Sequence, residues 1–323
     1  MRLALILNPV ATSVTERLVR AVEDLLRRDH DVRTYPTTGR GDAIELAARA
    51  AATGADVVIA LGGDGTVNEV ANGVLGTGCP IAPLPGGSTS VMARSLGYPN
   101  DLVAATHRLL EALDRNAPVS ASVGVAGGRA FLFNIGAGFD AAVVARVERR
   151  GPLKRYIGQP LFVTATVATW LFDVERRRPW FTVEIDNGGD LPVAAPASAL
   201  VALNTGPYSY LGPRALDLAP EAALDRPLSV LTLANLSPAL LPRLVRAAFG
   251  DEGLPDRADS HHWHNVNRVA IRGHRPFPYQ LDGELLGPVD HLTVAHRPDA
   301  VTIMAPPSID DPTPRLGSAP PHH

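Results

Sequence analysis

Apolar runs and amphipathic segments alternate along the first third of the chain. Residues 3–7 form a continuous apolar run, which is typical of a strand covered on both faces of a parallel sheet. Residues 15–28 then place Leu18, Val22 and Leu25 at helical spacing. Strands that alternate with helices predict a parallel sheet with helices on both of its faces. On the same criteria we predict further strands at 32–35, 57–61 and 81–84, and further helices at 43–52, 67–75 and 90–96.

The pattern changes near Pro118, after which short β-like segments are separated by Gly and Pro. Residues 119–125 and 129–135 predict a hairpin around Gly127-Gly128. Regular punctuation of short strands predicts a β-sandwich or barrel. Later strands are predicted at 181–185, 199–203, 228–233, 266–271, 279–281 and 292–294, and helices at 141–149, 157–172 and 238–249.

This change of pattern divides the chain into two predicted domains. We expect an α/β + all-β protein, with an α/β domain over residues 1–117 and a β-sandwich domain over residues 118–306. Residues 307–323 are rich in Pro, Asp and Ser and predict a disordered tail. The sequence leaves open whether a last strand near 301–304 returns to the first domain.

Composition and charge narrow the classes of function. A net charge of −3 over 323 residues gives no overall basic field, so no nucleic-acid partner is expected. The single cysteine, Cys79, cannot form a disulfide within the chain, which suits a reducing compartment. The longest weakly charged stretch, residues 157–172, is shorter than the roughly 20 residues that cross a bilayer. We therefore expect a soluble, cytoplasmic protein.

The strongest chemical signal is the turn Gly62-Gly63-Asp64-Gly65-Thr66, between a predicted strand and a predicted helix. Glycines let the backbone approach a ligand closely, and successive N–H groups beside a helix N-terminus bind anions. The turn therefore predicts a phosphate site. Asp64 would act there through Mg²⁺ or a water network. The alternative is that Asp64 only caps the following helix.

A second glycine turn, Pro85-Gly86-Gly87-Ser88-Thr89, also lies between a predicted strand and a predicted helix. Its hydroxyl and N–H groups could hold another part of the same phosphate chain, or Ser88 or Thr89 could simply cap a helix. Ligands of open α/β sheets bind at the carboxyl ends of the strands. Two such turns after neighbouring strands therefore favour one shared phosphate site.

Five segments resemble, in the same order, those of the diacylglycerol kinase catalytic domain family. They are Leu7-Asn8-Pro9, residues 37–43, residues 62–66, residues 85–90 and Leu281-Asp282-Gly283-Glu284. The resemblance covers nearly the whole chain except the tail, and the family includes bacterial diacylglycerol kinases, related lipid kinases and sphingosine kinases. NAD kinases share the first glycine motif, so the Leu-Asp-Gly-Glu motif is what separates the lipid kinases. The resemblance implies a nucleotide-binding domain like that of NAD kinase, a β-sandwich domain, and an active site in the cleft between them.

The resemblance also implies a role for each matching residue in ATP- and Mg²⁺-dependent phosphorylation of a lipid hydroxyl. Asp282 would be the general base, Glu284 would organise Mg²⁺ and water, and Asp64 would complete the catalytic group. Without the resemblance, Asp282-Gly283 would be interpreted as a turn that ends a strand. Ser90 stands where the family usually carries Asn. The nucleotide would be contacted by Asn8, Thr37, Gly62, Gly63, Gly65, Thr66, Pro85, Gly86, Gly87 and Ser88.

Other polar residues of the second half are weaker candidates. Asn134 and Asp140 could reach an acceptor head group, although Asp140 also fits a helix N-cap. Asp225 lies where the family often carries an Asp-Gly pair tied to a structural Mg²⁺, but Arg226 replaces the glycine. Residues 261–264 read His-His-Trp-His; neighbours in an extended segment point to opposite sides, so we predict no metal site there.

The expected partner is a lipid substrate. Basic residues flank residues 157–172 and belong either to a solvated surface or to a transient contact with an anionic membrane, where each would contribute about 1 kcal/mol. They are Arg146, Arg149, Arg150, Lys154, Arg155, Arg176, Arg177 and Arg178. An NAD kinase and an inactive lipid- or nucleotide-binding homologue remain as alternatives. The motifs do not specify the acceptor lipid, and a homodimer stays open.

Overall fold

A computed structural model describes residues 1–87, 89–116, 118–148, 178–186, 193–211, 214–237, 240–249 and 256–306. The helix expected at 157–172, the tail expected at 307–323 and Ser88 lie outside the described residues. The chain divides into two compact units, one of residues 1–123 with the segment that starts at Pro298, and one of residues 124–297. The first unit thus extends to Val123, whereas the sequence placed the boundary after residue 117.

The first unit is built on a parallel sheet in the order β2-β1-β3-β4. Its strands are β1 (Arg2–Leu7), β2 (Asp31–Pro36), β3 (Val57–Gly62) and β4 (Ile81–Pro85). Every residue of β3 and β4 is buried, which explains why their sequences are apolar without alternation. Ile303, in the last strand of the described chain, pairs in parallel with Ile81 and extends this sheet.

Five helices accompany this sheet. They are α1 (Glu16–Leu26), α2 (Asp42–Ala52), α3 (Asp64–Val74), α4 (Val91–Ser95) and α5 (Leu102–Arg115). Helix α5 was not predicted from the sequence. Its signals were present, because Asp101 caps it by accepting a hydrogen bond from Ala104 N at 2.8 Å, and Leu102, Ala105 and Leu109 recur at helical spacing.

The second unit is rich in antiparallel strands, and the chain enters it within β5 and leaves it within β16. The elements up to β10 are β5 (Val119–Ala126), β6 (Arg129–Phe131), β7 (Asn134–Gly138), α6 (Phe139–Glu148), β8 (Phe181–Asp186), β9 (Val193–Ala197) and β10 (Ala199–Leu203). The others are β11 (Ser209–Leu211), β12 (Arg214–Leu216), β13 (Leu228–Leu233), α7 (Leu240–Phe249), β14 (Ser260–Val266), β15 (Arg268–Leu281) and β16 (Glu284–Ile303).

The long strand β15 pairs with two different strands of the second unit, β8 and β7. Its first half pairs with β8 and its last three residues pair with β7, and its register with β16 is irregular between Arg272 and Phe277. Apolar side chains from both parts form one core, in which the Phe181 and Phe277 rings lie 5.0 Å apart. The expected fold class, an α/β unit joined to a strand-rich unit, is confirmed.

Two predicted strands are wrong in their extent. Residues 129–135 are not one strand, because Leu132 N and Phe133 N donate to the Asp282 carboxylate and the chain leaves the hairpin there. Residues 266–271 are also divided, since β14 ends at Val266 and β15 begins at Arg268. Within the described parts of the chain, no helix has the length and apolarity needed to cross a membrane.

Candidate active site

The turns of the first unit lie along one edge of its sheet. Because β1 to β4 are parallel, the residues that follow their C-termini share that edge. Asn8 N donates to Leu61 O at 3.0 Å, and Thr37 N donates to Leu7 O at 2.8 Å, so each turn is tied to a neighbouring strand. The structure therefore brings Asn8, Thr37 and both glycine turns to the same end of the sheet, as a shared nucleotide site requires.

The two glycine turns pack backbone against backbone. Gly86 N donates to Gly62 O at 2.8 Å. A Cβ at Gly86 would lie 2.9 Å from Gly62 Cα, and a Cβ at Gly87 would lie 2.8 Å from Gly63 Cα. A Cβ at Gly65, by contrast, would meet no atom within 4 Å. Glycine is thus required at 86 and 87 by the approach of the two turns, whereas Gly65 keeps open space around its backbone.

Side chains from other loops tie these turns in place. Asn8 Nδ2 donates to the hydroxyl of the buried Thr66 at 3.3 Å. Ser13 N donates to Gly86 O at 3.0 Å, and Val14 would be 2.9 Å from a Cβ at Gly86. Ser13 and Val14 were not predicted to take part, because nothing in their local sequence shows that the loop after β1 reaches the turn after β4.

Asp64 joins the first glycine turn to the helix that follows the second. Its carboxylate accepts hydrogen bonds from Val91 N at 3.0 Å and Met92 N at 3.1 Å, the first two residues of α4. Burial raises the pKa of Asp64, and these two backbone donors act in the opposite direction. Asp64 therefore does cap a helix, but it caps α4 and not its own helix α3.

Ser90 occupies a left-handed backbone conformation immediately before α4. Its φ is 45° and its side chain is buried, with Oγ 3.2 Å from Gly87 N as acceptor. Asn is several-fold enriched in this region of backbone space, while most other residues with a Cβ avoid it. The Asn that similar sequences usually carry at this position would therefore suit this backbone conformation.

In the second unit, Asp282 and Gly283 form the two-residue turn between β15 and β16. Both have positive φ, 48° and 82°, as a type I′ hairpin turn requires. The Asp282 carboxylate accepts three backbone hydrogen bonds, from Leu132 N at 2.8 Å, Phe133 N at 2.9 Å and Asn134 N at 3.0 Å. Asp282 thus ends a strand and also binds this turn to the segment between β6 and β7.

A buried polar network lies next to the Asp282 turn. Gln280 Nε2 donates to Asn134 Oδ1 at 2.8 Å and to Asp140 Oδ2 at 3.0 Å, while Gln280 Oε1 accepts from Gly283 N at 2.7 Å. Tyr208 donates to Asp140 Oδ1 at 2.7 Å. Burial raises the pKa of Asp140, and burial beside Asp140 raises the pKa of Tyr208. The network therefore fixes the turn through the buried side chains of Asn134 and Gln280 and the partly buried side chains of Asp140 and Tyr208.

Asp140 does not cap its own helix through these contacts, although the sequence favoured that role. A Cβ at Gly136 would overlap Asp140 Oδ2, so the strand before α6 needs glycine at this point. Gln280 and Tyr208 were not predicted. A signal existed for Gln280, because a polar residue between Tyr279 and Leu281 in a buried strand must find hydrogen-bond partners.

The remaining predicted residues of the second unit are placed as follows. Glu284 forms an ion pair with Arg129 at 2.8 Å, and both side chains are largely buried. Asp225 has a side chain that is 54% exposed, and its carboxylate lies 3.8 Å from Arg226 Nε. The predicted roles of Glu284 in Mg²⁺ organisation and of Asp225 in metal binding stay predictions.

Comparison with known proteins agrees with this arrangement. Residues 2–121 match the model of the diacylglycerol kinase catalytic domain. A probable lipid kinase YegS-like from Chromohalobacter salexigens is 29% identical over 94% of this chain and 92% of its own length. A diacylglycerol kinase from Bacillus subtilis is 28% identical over 88% of this chain and 90% of its own length.

Solved structures share the fold. A putative diacylglycerol kinase from Bacillus anthracis superposes with a TM-score of 0.74 at 22% identity, covering 95% of each chain. The sequence matches support the enzyme class that the motifs implied, a lipid kinase. The chain is thus similar to the diacylglycerol kinase catalytic domain family over residues 2–121, and to proteins named lipid kinase or diacylglycerol kinase over most of its length.

Proposed function

We propose that this protein transfers the γ-phosphoryl group of ATP to a hydroxyl group of a lipid, either diacylglycerol or a related lipid alcohol. The backbone packing of Gly62-Gly63 against Gly86-Gly87 carries the proposal. It brings the two glycine turns together at the carboxyl edge of a parallel sheet, where phosphate groups bind. The same turns lie in the part of the chain that matches the catalytic domain of the family.

The first unit would hold the nucleotide. Asn8, Thr37 and the two glycine turns would line the ATP site, and Asp64 would keep α4 and the second turn in register with the first. A carboxylate has about four lone-pair sites, so Asp64 can accept its backbone hydrogen bonds and also contact a hydrated Mg²⁺. Bound with ATP, Mg²⁺ would neutralise the charge that develops on the transferred phosphoryl group.

The second unit would supply the proton acceptor. We propose Asp282 as the general base on the lipid hydroxyl, with Glu284 beside it in the same hairpin. Three backbone N–H groups hold the Asp282 carboxylate in one position at the tip of this hairpin. The hydrogen bonds of Asn134 and Asp140 support a positioning role for them through Gln280. Direct contact of these two residues with the acceptor stays a prediction.

The experiment that tests the proposal is a transfer assay with γ-labelled ATP and Mg²⁺. Diacylglycerol, a sphingoid base and NAD would be offered in separate reactions, because an NAD kinase would label NAD and an inactive homologue would label nothing. We expect label in one of the lipids and none in NAD. Label in NAD alone, or ATP binding without transfer to any acceptor, would contradict the proposal.

Two expectations about partners remain proposals. Most of the basic residues that would contact an anionic membrane, from Arg149 to Arg177, lie outside the described residues. Peripheral membrane contact in a cytoplasmic protein and a homodimer are therefore predictions from the sequence alone.

A further inference from the structure

A second cluster of chemically active side chains lies away from the residues of the proposed reaction. His262 and His264 belong to β14, and Glu221 belongs to the segment between β12 and β13. Glu221 Oε1 lies 2.9 Å from His262 Nε2 and 3.0 Å from His264 Nδ1. One ligand atom from each of the three residues falls within 4.8 Å of the other two.

The strand geometry explains why the sequence analysis rejected this cluster. Adjacent residues in β14 do point to opposite sides, and His261 pairs separately with Asp256 at 2.9 Å. His262 and His264, however, are two residues apart and therefore share a face, where their ring centroids are 4.1 Å apart. The third member comes from a distant segment, so no local spacing could reveal it.

The buried atom of His262 points to a ligand. Its side chain is only 9% exposed, yet Nε2 has no well-aligned hydrogen-bond partner among the residues that the structure describes. Its close neighbour is Glu221 Oε1, which already accepts a hydrogen bond from the Ser229 hydroxyl at 2.6 Å. A buried polar atom without a partner is costly, and an ion shared with Glu221 would remove that cost.

Charge and access fit a cation. The Glu221 carboxylate faces both imidazoles and would supply a negatively charged ligand to a cation. Asp217 places a further carboxyl group close enough to interact with Glu221. His264 is 52% exposed, which leaves a route for an ion from solvent and an open position for water.

We propose that Glu221, His262 and His264 bind a divalent transition-metal ion of the Zn²⁺ class, which fastens the Glu221 segment to β14. Two imidazoles and one carboxylate form a ligand set that suits Zn²⁺ and its neighbours and suits Mg²⁺ poorly. A tetrahedral zinc site with bonds of about 2.0–2.2 Å keeps its ligand atoms roughly 3.4 Å apart. The observed separations of 2.9 and 3.0 Å need only a small expansion. Because β14 is at the end of the strand order, the ion would secure an edge strand.

The test is a titration of the full chain with Co²⁺, followed by Zn²⁺ competition, in a buffer with excess Mg²⁺. Excess Mg²⁺ fills oxygen-rich sites, and Co²⁺ reports nitrogen coordination by its visible absorption. We expect one Co²⁺ per chain, displaced by Zn²⁺, and a melting temperature raised by Zn²⁺. His264→Ala should abolish the absorption and the thermal shift. Glu221→Gln should lower the affinity for Co²⁺ at least tenfold.

His261→Ala is the matched control, because His261 lies on the opposite face of the same strand. It should bind Co²⁺ like the wild type. Unaltered binding by His264→Ala would overturn the proposal, since it would locate the ion elsewhere, for example at His322 and His323. Absence of binding by the wild type at micromolar Co²⁺ would overturn it as well. His264 is half exposed, so its variant is expected to fold, and its melting temperature without metal checks this.

Discussion

The glycine turns of the first unit and the Asp282 turn of the second unit are held in place by opposite kinds of contact. Gly62 and Gly86 have no side chains of their own, so their backbone atoms make the contact between the two turns. The Asp282 turn is held by buried side chains, with three backbone N–H groups on one carboxylate and Gln280 beneath. A region that binds phosphates must expose N–H groups, whereas a region that presents a carboxylate must fix a side chain. The two regions should therefore fail differently when mutated.

The largest effect is expected from Asp282→Asn. The amide has one acceptor oxygen and cannot satisfy all three backbone donors, which should cost roughly 1–3 kcal/mol of unfolding free energy. It also loses the proton acceptor, so kcat should fall by roughly 10²–10⁴-fold. ATP affinity should be unchanged, because the proposed nucleotide site belongs to the other unit. Stopped-time transfer assays, calorimetric ATP binding and melting temperature on one preparation measure the three quantities. A folded variant that keeps more than about a tenth of the rate would refute the base assignment.

Gly86→Ala should disrupt the packing of the two glycine turns in the first unit. The new Cβ would lie 2.9 Å from Gly62 Cα, and two backbone segments cannot yield as side chains do. Overpacking of this kind costs about 1–3 kcal/mol, and if it falls on the nucleotide site, ATP affinity should drop by about tenfold to a hundredfold. Calorimetric titration with ATP and Mg²⁺ measures this.

Gly65→Ala is the matched control for the glycine turns, because its Cβ would meet no atom within 4 Å. It should keep the melting temperature of the wild type. Equal loss of stability in Gly65→Ala and Gly86→Ala would show that the close contact between the turns is not the reason why Gly86→Ala is destabilised.

Tyr208→Phe should weaken the network beside the Asp282 turn in a pH-dependent way. The tyrosine hydroxyl lowers the pKa of the buried Asp140, which burial raises, so its loss raises that pKa further. A group whose pKa is higher in the folded state stabilises the fold at low pH and loses this contribution as pH rises. The variant should therefore lose about 1–3 kcal/mol near pH 8 and clearly less near pH 4 in urea titrations.

Tyr98→Phe provides the comparison for that pH dependence. The Tyr98 hydroxyl is also buried, but it donates to a neutral acceptor, Met304 O, at 2.6 Å. Its loss should cost stability to a similar extent at both pH values. Parallel pH profiles for the two variants would argue against ionised Asp140 as the cause.

The smallest effect is expected from Ser90→Asn. The backbone at this position is left-handed, with φ of 45°, and Asn tolerates that conformation better than Ser. If the larger amide fits the space around Gly87, the variant should be more stable by about 0.5 kcal/mol, with a slightly higher melting temperature. A variant less stable than the wild type would show that the buried Ser90 hydroxyl contributes more than the backbone preference.

Much of the fold and part of the site were determined by local sequence. The apolar runs of β1, β3 and β4 predicted a buried parallel sheet, since strands covered on both faces cannot alternate with polar residues. The glycine turns predicted a phosphate site for an equally local reason, because only glycine gives the backbone such freedom of approach. The Asp282-Gly283 pair likewise specified a tight turn between two strands.

Tertiary structure decided which distant groups meet. Asp64 looked like a cap for its own helix, but its carboxylate binds the start of α4, 27 residues along the chain. Gln280 and Tyr208 reach Asp140 only because β15, β7 and the segment after β10 converge. The cluster of Glu221 with His262 and His264 depends on the same kind of convergence. Short-range patterns encode the geometry of strands and turns. Hydrogen bonds and ion sites between distant segments depend on which strands become neighbours, and local sequence does not specify that order.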